Sequence, residues 1–383
     1  MLRTQSSRCV LLASLVLAAA ACGKPLFWIG ELGADGGTAT QLDANVRSAE
    51  AGSSPTSGDA APTREAGSPT DGAAVEREAG AAPPDTAEPP RADEPGADPS
   101  LASDEDEDAG VAPIRPEVPT KLPVATAPCP TLSGPGTYTF GTAKRTLSAR
   151  VFIAPDARSK PPPGGPLIMY WHAMTSSANE VLDGLGQAAI DEVVAQGGVV
   201  ASFNSRLCTD CGLLADDVVW YVEDDIASDH LVACALEQAR VDPRRIHAIG
   251  HSAGAMRTLH LGLVRSDFIA SVVSYSGGDR LAGQGAIQDP ANKLASIVLY
   301  GGRRDNLGLD YRDLARQWYD SRTALGSYTM VCDHGGGHVI PAEFGRYAYQ
   351  FFKDHPYKVS PGPYAAAVPS DFPEYCTNEF PDR

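Results

Sequence analysis

A glycine-flanked serine is the part of the chain best suited to chemistry: residues 250–254 read GHSAG. This pentapeptide follows a short apolar run, residues 246–249, and precedes a segment whose pattern predicts a helix, residues 255–264. A serine hydroxyl is a weak nucleophile, so it must project from a tight turn where a general base can reach it. The flanking glycines leave out side chains where such a turn crowds its neighbours. The G-x-S-x-G pattern between a strand and a helix therefore predicts a nucleophile elbow at Ser252.

The elements that must position this serine alternate along the chain. An alternating pattern predicts a strand at residues 147–154, and apolar runs predict strands at residues 166–172, 199–203, 246–250, 268–275, 296–300 and 328–332. Helical periodicity predicts helices at residues 178–196, 223–240, 255–264, 310–324 and 341–354. Strands that alternate with helices indicate an α/β fold, a mostly parallel sheet with helices on both faces.

Two further candidates lie where such sheets collect functional residues, at the carboxyl ends of strands. Asp305 follows the strand that ends at residue 300, and His338 follows the last strand in a glycine-rich loop. The order serine, aspartate, histidine is the order that this kind of sheet uses. We therefore predict a catalytic triad in which Ser252 attacks an acyl carbonyl, His338 moves the proton and Asp305 orients His338.

Other residues compete for two of these roles. His334 is the rival for the base, and Asp279 and Asp310 are alternatives to Asp305. We expect His251, inside the pentapeptide, to be structural, and His172 to brace its loop rather than act as a base.

An acyl-transfer site also needs hydrogen-bond donors for the developing oxyanion. The backbone N–H of Ala253, directly after the nucleophile, is the first expected donor. The second should come from the loop of residues 172–175, which we call the oxyanion loop. Either Ala173 or Met174 could supply it, and the prediction favours Met174.

Four segments together resemble the secreted alpha/beta hydrolases of the polyhydroxybutyrate depolymerase and feruloyl esterase group. They are VDPRRIHAIGHSAGAM (residues 241–256), WHAMTSSA (171–178), GGRRD (301–305) and HGGGH (334–338). The resemblance covers roughly residues 137–355 and implies the alpha/beta-hydrolase fold and serine esterase chemistry without a cofactor. The chain departs from the group at Ala173, where glycine usually follows the histidine, and at Ala255, where a third glycine is common.

The substrate stays open at this point. Polysaccharide-linked acyl or feruloyl esters, short polyesters and small esters all fit the resemblance. A serine peptidase or acyltransferase, or a non-catalytic surface-binding lipoprotein on the same fold, are the alternatives. Trp171, Trp220 and Tyr221 could form an aromatic subsite, or they could belong to the core.

The first 22 residues have the character of an export signal. Arg3 and Arg8 precede an apolar stretch, residues 10–21, and small alanines lead directly to Cys22. This resembles the lipobox of bacterial lipoproteins, which implies acylation of Cys22 and a lipid anchor in the membrane of the cell envelope, at the outer membrane or the cell surface. An ordinary secretory signal is the alternative, and both export the chain.

Residues 23–126 form a predicted linker. Ala, Gly, Pro, Ser, Thr and acidic residues dominate. A segment of this composition buries too little apolar surface to fold. The segment has 20 acidic and 7 basic residues, so it carries −13 of the total charge of −17. Residues 127–383 remain for one catalytic domain. No basic patch suggests a nucleic-acid partner.

Six cysteines follow the signal: Cys129, Cys208, Cys211, Cys234, Cys332 and Cys376. An even number in an exported chain predicts disulfides, but six cysteines allow 15 connectivities. The pair Cys208 and Cys211 could instead be a redox pair or half of a metal site, although no second pair completes a zinc site. A run of acidic residues, 216–229, matches no calcium loop, and helix capping is the expected explanation. We therefore predict no metal.

Overall fold

The computed structural model describes residues 117–143, 145–207, 218–278, 287–360 and 362–381, which all belong to one compact unit. The export signal with Cys22, most of the linker, Cys208, Cys211 and Asp279 lie outside these ranges. The strands are β1 (Gly136–Thr142), β2 (Arg145–Phe152), β3 (Gly165–Trp171), β4 (Val199–Phe203), β5 (Arg206–Leu207), β6 (Val218–Val219), β7 (Val241–His251), β8 (Ser271–Tyr275), β9 (Ala295–Tyr300), β10 (Thr329–Asp333) and β11 (Cys376–Thr377). The helices are α1 (Val181–Gly184), α2 (Gln187–Ala195), α3 (Asp225–Gln238), α4 (Ala253–Val264), α5 (Tyr311–Thr323) and α6 (Phe344–Asp354).

One large sheet organises the described residues. Its strand order is β1-β2-β4-β3-β7-β8-β9-β10-β11. Strands β4, β3, β7, β8, β9 and β10 run parallel, and β2 pairs antiparallel with both β1 and β4. The parallel strands therefore end at one edge, where loops from neighbouring strands can meet.

Both faces of the sheet are buried because successive side chains of a strand point to opposite sides. In β3, Leu167 and Met169 join one apolar cluster, while Ile168 and Tyr170 join the other. The first cluster packs against α3, α4 and α5, and the second packs against α2 and α6. The predicted mostly parallel sheet with helices on both faces is confirmed.

The helix predicted for residues 178–196 is wrong as a single element. The structure has a 3₁₀ turn (Ala178–Glu180), then α1, and then α2. The break is at Gly186, whose φ of 83° is a left-handed conformation that a continuing helix does not allow. The antiparallel strand β1 and the short strands β5, β6 and β11 were not predicted. Strand β1 has only two large apolar side chains, Tyr138 and Phe140, and the other three strands have two residues each.

Two disulfides tie the ends of the described chain to the sheet and its helices. Cys129 bonds to Cys234 of α3, and Cys332 of β10 bonds to Cys376 of β11. Contacts with the core begin ahead of the first of these cysteines. Leu122 packs against the first apolar cluster, and Glu117 lies 3.2 Å from Lys358. The domain start at residue 127 stays a prediction, but residues 117–126 contribute contacts.

Within the described ranges, none of the helices combines the length and the apolar character needed to cross a membrane.

Buried histidines predict how stability depends on pH. Burial lowers the pKa of His260 to about 4 and that of His355 to about 4, and it lowers the pKa of His247 well below its usual value. In the unfolded chain these groups titrate near pH 6.5. Between about pH 6.5 and 4 the unfolded chain therefore binds more protons, so the free energy of unfolding falls as the pH falls.

The measurement is urea unfolding of the domain at pH values from about 7 to 4.5. His355→Phe should make the decline shallower, because the ring can still stack on Phe351 (4.0 Å between centroids) but no longer titrates. Stability that stayed constant over this range would contradict the prediction.

Candidate active site

The serine of the pentapeptide lies at the tight turn between β7 and α4. Ser252 has φ 55° and ψ −117°, a strained conformation that costs of order 1–3 kcal/mol for a residue with a side chain. Its backbone N–H donates to Tyr275 O (2.8 Å) at the end of β8, which holds the turn against the neighbouring strand. The turn thus has the strained strand-to-helix geometry of a nucleophile elbow.

The two glycines of the elbow lie where no side chain fits. A Cβ on Gly250 would lie 2.6 Å from Trp171 O, and one on Gly254 would lie 1.9 Å from the same oxygen. Both contacts are with the backbone at the end of β3, which cannot move aside as a side chain could. The glycines therefore let the elbow pack directly against the strand that leads into the oxyanion loop.

The structure brings Ser252, His338 and Asp305 into one hydrogen-bonded line. Ser252 Oγ lies 2.8 Å from His338 Nε2, and His338 Nδ1 lies 2.6 Å from Asp305 Oδ1. With its proton on Nδ1, His338 donates to the carboxylate and leaves Nε2 free to accept the serine proton. The ring of His338 also contacts Tyr311 and His251, with centroids 4.5 and 5.1 Å away.

The carboxylate of Asp305 is buried and fully engaged. Its residue is 1% exposed, and its second oxygen accepts from Ser276 Oγ (2.7 Å) and from the N–H of Gly301 (2.9 Å). Ser276, which follows β8, is a residue that the sequence analysis missed. The only available signal was its place at the carboxyl end of a strand, which the other site residues share.

The loops that carry Asp305 and His338 pack backbone to backbone. Gly337 N donates to Gly301 O (2.9 Å), and a Cβ on Gly301 would lie 2.0 Å from Gly337 O. The φ of Gly337, 84°, is left-handed. The glycines of the GGRRD and HGGGH segments therefore serve to bring the two loops close enough for the hydrogen bond between Asp305 and His338.

The two described alternatives for the base and its orienting carboxylate, His334 and Asp310, make other contacts. His334 has its backbone N–H bonded to Tyr300 O (3.1 Å) and its ring near Tyr375, and burial lowers its pKa. Asp310 begins α5, where its carboxylate accepts from Asp313 N (3.1 Å). Asp279 lies outside the described residues. Neither of the two described alternatives takes part in the hydrogen-bonded line.

His172 braces the oxyanion loop. Its Nε2 accepts from Ser205 N (3.2 Å), its Nδ1 lies 2.7 Å from Ala173 O, and its carbonyl accepts from Trp220 Nε1 (2.9 Å). Burial lowers the pKa of His172, so the ring stays neutral at neutral pH.

The two backbone donors weighed for the oxyanion differ in their partners. Ala173 N donates to Glu180 Oε1 (3.0 Å), whereas no such bond to a described residue engages Met174 N. Glu180, a second residue that the sequence analysis missed, lies in the 3₁₀ turn before α1. Nothing in the sequence marked it, because glutamate is common at the start of helices, where the helix dipole favours a negative charge.

A cleft of about 790 Å³ opens beside the triad. One wall comes from residues 180–189, the segment around the break at Gly186, and the other from residues 338–346. Its lining includes His338, His251 and Glu180, together with apolar side chains such as Leu185 and Ile340. The cleft therefore borders the triad at His338.

The tryptophans considered for an aromatic subsite belong to the core. Trp171 is fully buried and stacks on Phe203 (4.5 Å between centroids), and Trp220, 2% exposed, packs edge-on against Trp171. Neither can present a ring face to a substrate.

Three of the four acidic residues that the structure describes in the 216–229 run form ion pairs with arginines, so capping as their main explanation is wrong. Asp224 pairs with Arg145, and Asp225 with the fully buried Arg257. Asp229 pairs with Arg265 at 2.7 Å. The helix α3 has no side-chain cap at its first residue. Each of these three aspartates thus has an arginine that explains its position.

One grouping of metal-ligand types occurs among the described residues: Cys129, His230 and Cys234. Its two sulfurs form the first disulfide, and His230 Nδ1 accepts from Gly141 N (2.8 Å). Disulfide sulfurs are not the thiolates that metals bind, so this grouping is a structural tie between the N-terminal segment, β1 and α3.

The strand order, the antiparallel β2 and the elbow after β7 define the α/β-hydrolase fold. No protein-family model matches the sequence, and no curated protein matches it. Among solved structures, native pOPH is similar with a TM-score of 0.49 and 17% identity, over 65% of this chain and 96% of that chain. A ferulic acid esterase gives 0.41 and 17%, over 56% and 94%. An esterase from Pyrobaculum calidifontis gives 0.41 and 15%, over 57% and 83%. Likenesses at this level carry no argument about activity.

The contact between the two loops gives a testable prediction. Gly301→Ala should force residues 301 and 337 apart and break the line from Ser252 to Asp305. A misplacement of about 1 Å can cost on the order of 10²-fold in rate. We expect the rate of Ser252 labelling by a fluorophosphonate to fall by about that factor.

Gly136→Ala in β1 is the matched control, since a Cβ there would meet only the Tyr138 side chain, at 3.3 Å. Unchanged labelling of the Gly301 variant would show that the loop contact does not position the site.

Proposed function

We propose that this protein is a serine hydrolase that cleaves carboxylic esters through an acyl-enzyme intermediate. The observation that carries the proposal is the hydrogen-bonded line from Ser252 through His338 to Asp305, with distances of 2.8 and 2.6 Å. Nucleophilic catalysis by serine needs a base within hydrogen-bond reach and a third group that orients the base. The strained turn at Ser252 supports the same reading, because strain of this kind collects at functional sites.

In the proposed first half-reaction, Ser252 Oγ attacks the ester carbonyl carbon as His338 Nε2 takes the hydroxyl proton. The tetrahedral intermediate then collapses: the bond to the alcohol oxygen breaks, and the alcohol leaves with the proton from His338. In the second half, water attacks the acyl-serine, His338 again takes and returns a proton, and the carboxylic acid is released. Asp305 keeps the imidazole oriented and stabilises its cation throughout.

The oxyanion is proposed to be bound by the N–H groups of Ala253 and Met174. Ala253 begins α4, so its N–H is among those that a helix leaves without an internal partner. The positive end of the helix dipole also favours a negative oxygen there. Met174 is chosen over Ala173 because the Ala173 N–H already donates to Glu180.

Three substrate classes are proposed for the cleft: acyl or feruloyl groups on polysaccharide, short polyesters, and small esters. Hydrolysis of feruloyl, acetyl and hydroxyalkanoate esters by the purified protein separates them. No turnover of any ester by a protein whose Ser252 still reacts with a fluorophosphonate would favour a peptidase or acyltransferase. A protein that does neither would be a binding module on this fold.

We further propose that the chain is exported and anchored to a membrane of the bacterial cell envelope through acylated Cys22, with the acidic linker as a tether. The support is the alanine run before this cysteine and the linker composition, in which repelling charges favour extended chain.

Substitutions in the triad test the reaction. Ser252→Ala should abolish ester turnover and fluorophosphonate labelling while the protein stays folded. His338→Ala should lower kcat about as much, because residues that act as a unit do not contribute additively, and losses of about 10³-fold or more are typical. Asp305→Asn should be severe but milder.

Circular dichroism checks the fold of each variant. An active His338→Ala variant together with an inactive His334→Ala variant would show that the base has been misassigned.

The anchor is tested by separating cells into membrane and soluble fractions. The full chain should incorporate a radioactive fatty acid and sediment with membranes, and Cys22→Ser should abolish both. Cys9→Ser is the matched control, because Cys9 precedes the apolar stretch and should not affect processing. A chain that begins at Glu117, and so keeps the contact of Leu122 with the core, should be soluble and fully active. An unlabelled wild type would indicate an ordinary secretory signal.

A further inference from the structure

A buried carboxylate lies against the oxyanion loop and the residue that precedes Ser252. The side chain of Glu180 is 9% exposed. Its Oε1 accepts from Ala173 N (3.0 Å) in the oxyanion loop and from Tyr170 OH (3.0 Å) on β3. Its Oε2 lies 3.7 Å from Nδ1 of His251, the residue directly before the nucleophile. One side chain therefore contacts the sheet, the loop and the elbow.

We propose that Glu180 is a positioning residue that holds the oxyanion loop in the conformation in which the Met174 N–H serves the reaction. This inference rests on the proposed function, since it assigns a role within the same esterase site.

The oxyanion loop needs such a tether because its backbone is strained. Ser176 N donates to Ala173 O (3.1 Å), which closes a four-residue turn. The third residue of that turn, Thr175, has φ 66°. Turns of this kind usually place glycine there, and a β-branched residue with positive φ is a genuine outlier. The strain persists only where surrounding contacts determine the conformation.

Glu180 supplies the contact that selects one N–H of the loop. By accepting from Ala173 N, Glu180 fixes the peptide group between His172 and Ala173, which directly precedes the peptide group that carries the Met174 N–H. The same bond removes the Ala173 N–H from competition for the substrate. His172, braced by Ser205, fixes the chain on the other side. The Met174 N–H, which makes no such bond to a described residue, is then the loop donor proposed for the oxyanion.

The carboxylate is charged when the site works. Burial raises the pKa of Glu180, but the neighbouring His251 and Ser176 side chains and the N–H of Ala173 more than offset this effect, so the pKa lies below its usual value. A charged acceptor binds an N–H more strongly than a neutral one. At neutral pH the Ala173 N–H therefore donates to a charged carboxylate.

The test compares three substitutions at Glu180 with one at Tyr170. Glu180→Met removes the acceptor, and we expect kcat to fall on the order of 10²-fold with KM little changed, as for loss of an oxyanion donor. Glu180→Asp withdraws the acceptor by one methylene and should lower kcat about 10-fold. Glu180→Gln keeps a carbonyl oxygen for both donors and should have the smallest effect. Tyr170→Phe removes the other donor to the same oxygen, so it should lower the melting temperature but leave kcat within about twofold.

A second readout separates positioning from folding. Affinity for a trifluoromethyl ketone, which forms an oxyanion on Ser252, should fall in parallel with kcat across the Glu180 series. Affinity for the matching methylene compound, which forms none, should not change. If Glu180→Met does not fold, Glu180→Asp carries the test.

Two outcomes have different meanings. If the wild type hydrolyses esters and binds the ketone, but Glu180→Asp and Glu180→Met lose only thermal stability, the positioning role is overturned. If the wild type hydrolyses no ester, the proposed function is overturned. That result comes from the wild type alone and does not depend on the Glu180 variants.

Discussion

Close packing of backbone against backbone at the carboxyl edge of the sheet is the constraint on which the site depends. Gly254 brings the elbow against Trp171 O, and Gly301 brings the aspartate loop against Gly337. A single Cβ at either position would overlap backbone atoms, at 1.9 and 2.0 Å respectively. The first contact holds the elbow against the end of β3, where the oxyanion loop begins, and the second brings Asp305 and His338 within hydrogen-bond reach. Both are backbone contacts, so neither can relax by a change of rotamer.

Behind the elbow, buried charge connects the same elements. Arg257 of α4 is fully buried, pairs with Asp225 of α3, and lies 4.7 Å over the ring of Trp171 at the end of β3. A buried ion pair is weak evidence for stability, because desolvation offsets much of the attraction, but its geometry is demanding. The pair and the cation–π contact therefore fix α4, and with it the elbow, relative to the strand that carries the oxyanion loop.

The break at Gly186 shapes the space beside the triad. A continuous helix over residues 178–196 would not provide the irregular wall that faces residues 338–346. Among the described residues, these two walls form most of the surface of the cleft beside the triad. They combine apolar side chains with acidic ones, Glu180, Asp183 and Glu343 among them. Both walls are formed by segments outside the sheet, which vary more easily than the strands that position the triad.

The sequence by itself determined the alternation of strands and helices, the elbow at Ser252 and the places of Asp305 and His338. These features depend on local patterns: apolar runs mark buried strands, and glycine marks turns where a side chain does not fit. Helix ends were less accurate, and the segment around Gly186 was wrong, because a left-handed glycine is not distinguished from a helical one by periodicity. The antiparallel β1 was missed because it has only two large apolar side chains, Tyr138 and Phe140.

Only the tertiary structure decided which side chains support those residues. Ser276 is separated from its partner Asp305 by other elements, and Glu180 is separated from its partner Ala173 by a turn. A serine after a strand and a glutamate at the start of a helix have no distinctive sequence pattern. The pairing of Cys129 with Cys234 and of Cys332 with Cys376 likewise depends on proximity across 105 and 44 residues. Whether Trp171 belongs to the core or to an aromatic subsite was decided by the residues that pack against it, Phe203 and Trp220. Local spacing encodes turns and strands, whereas these contacts exist only once the sheet has brought distant segments together.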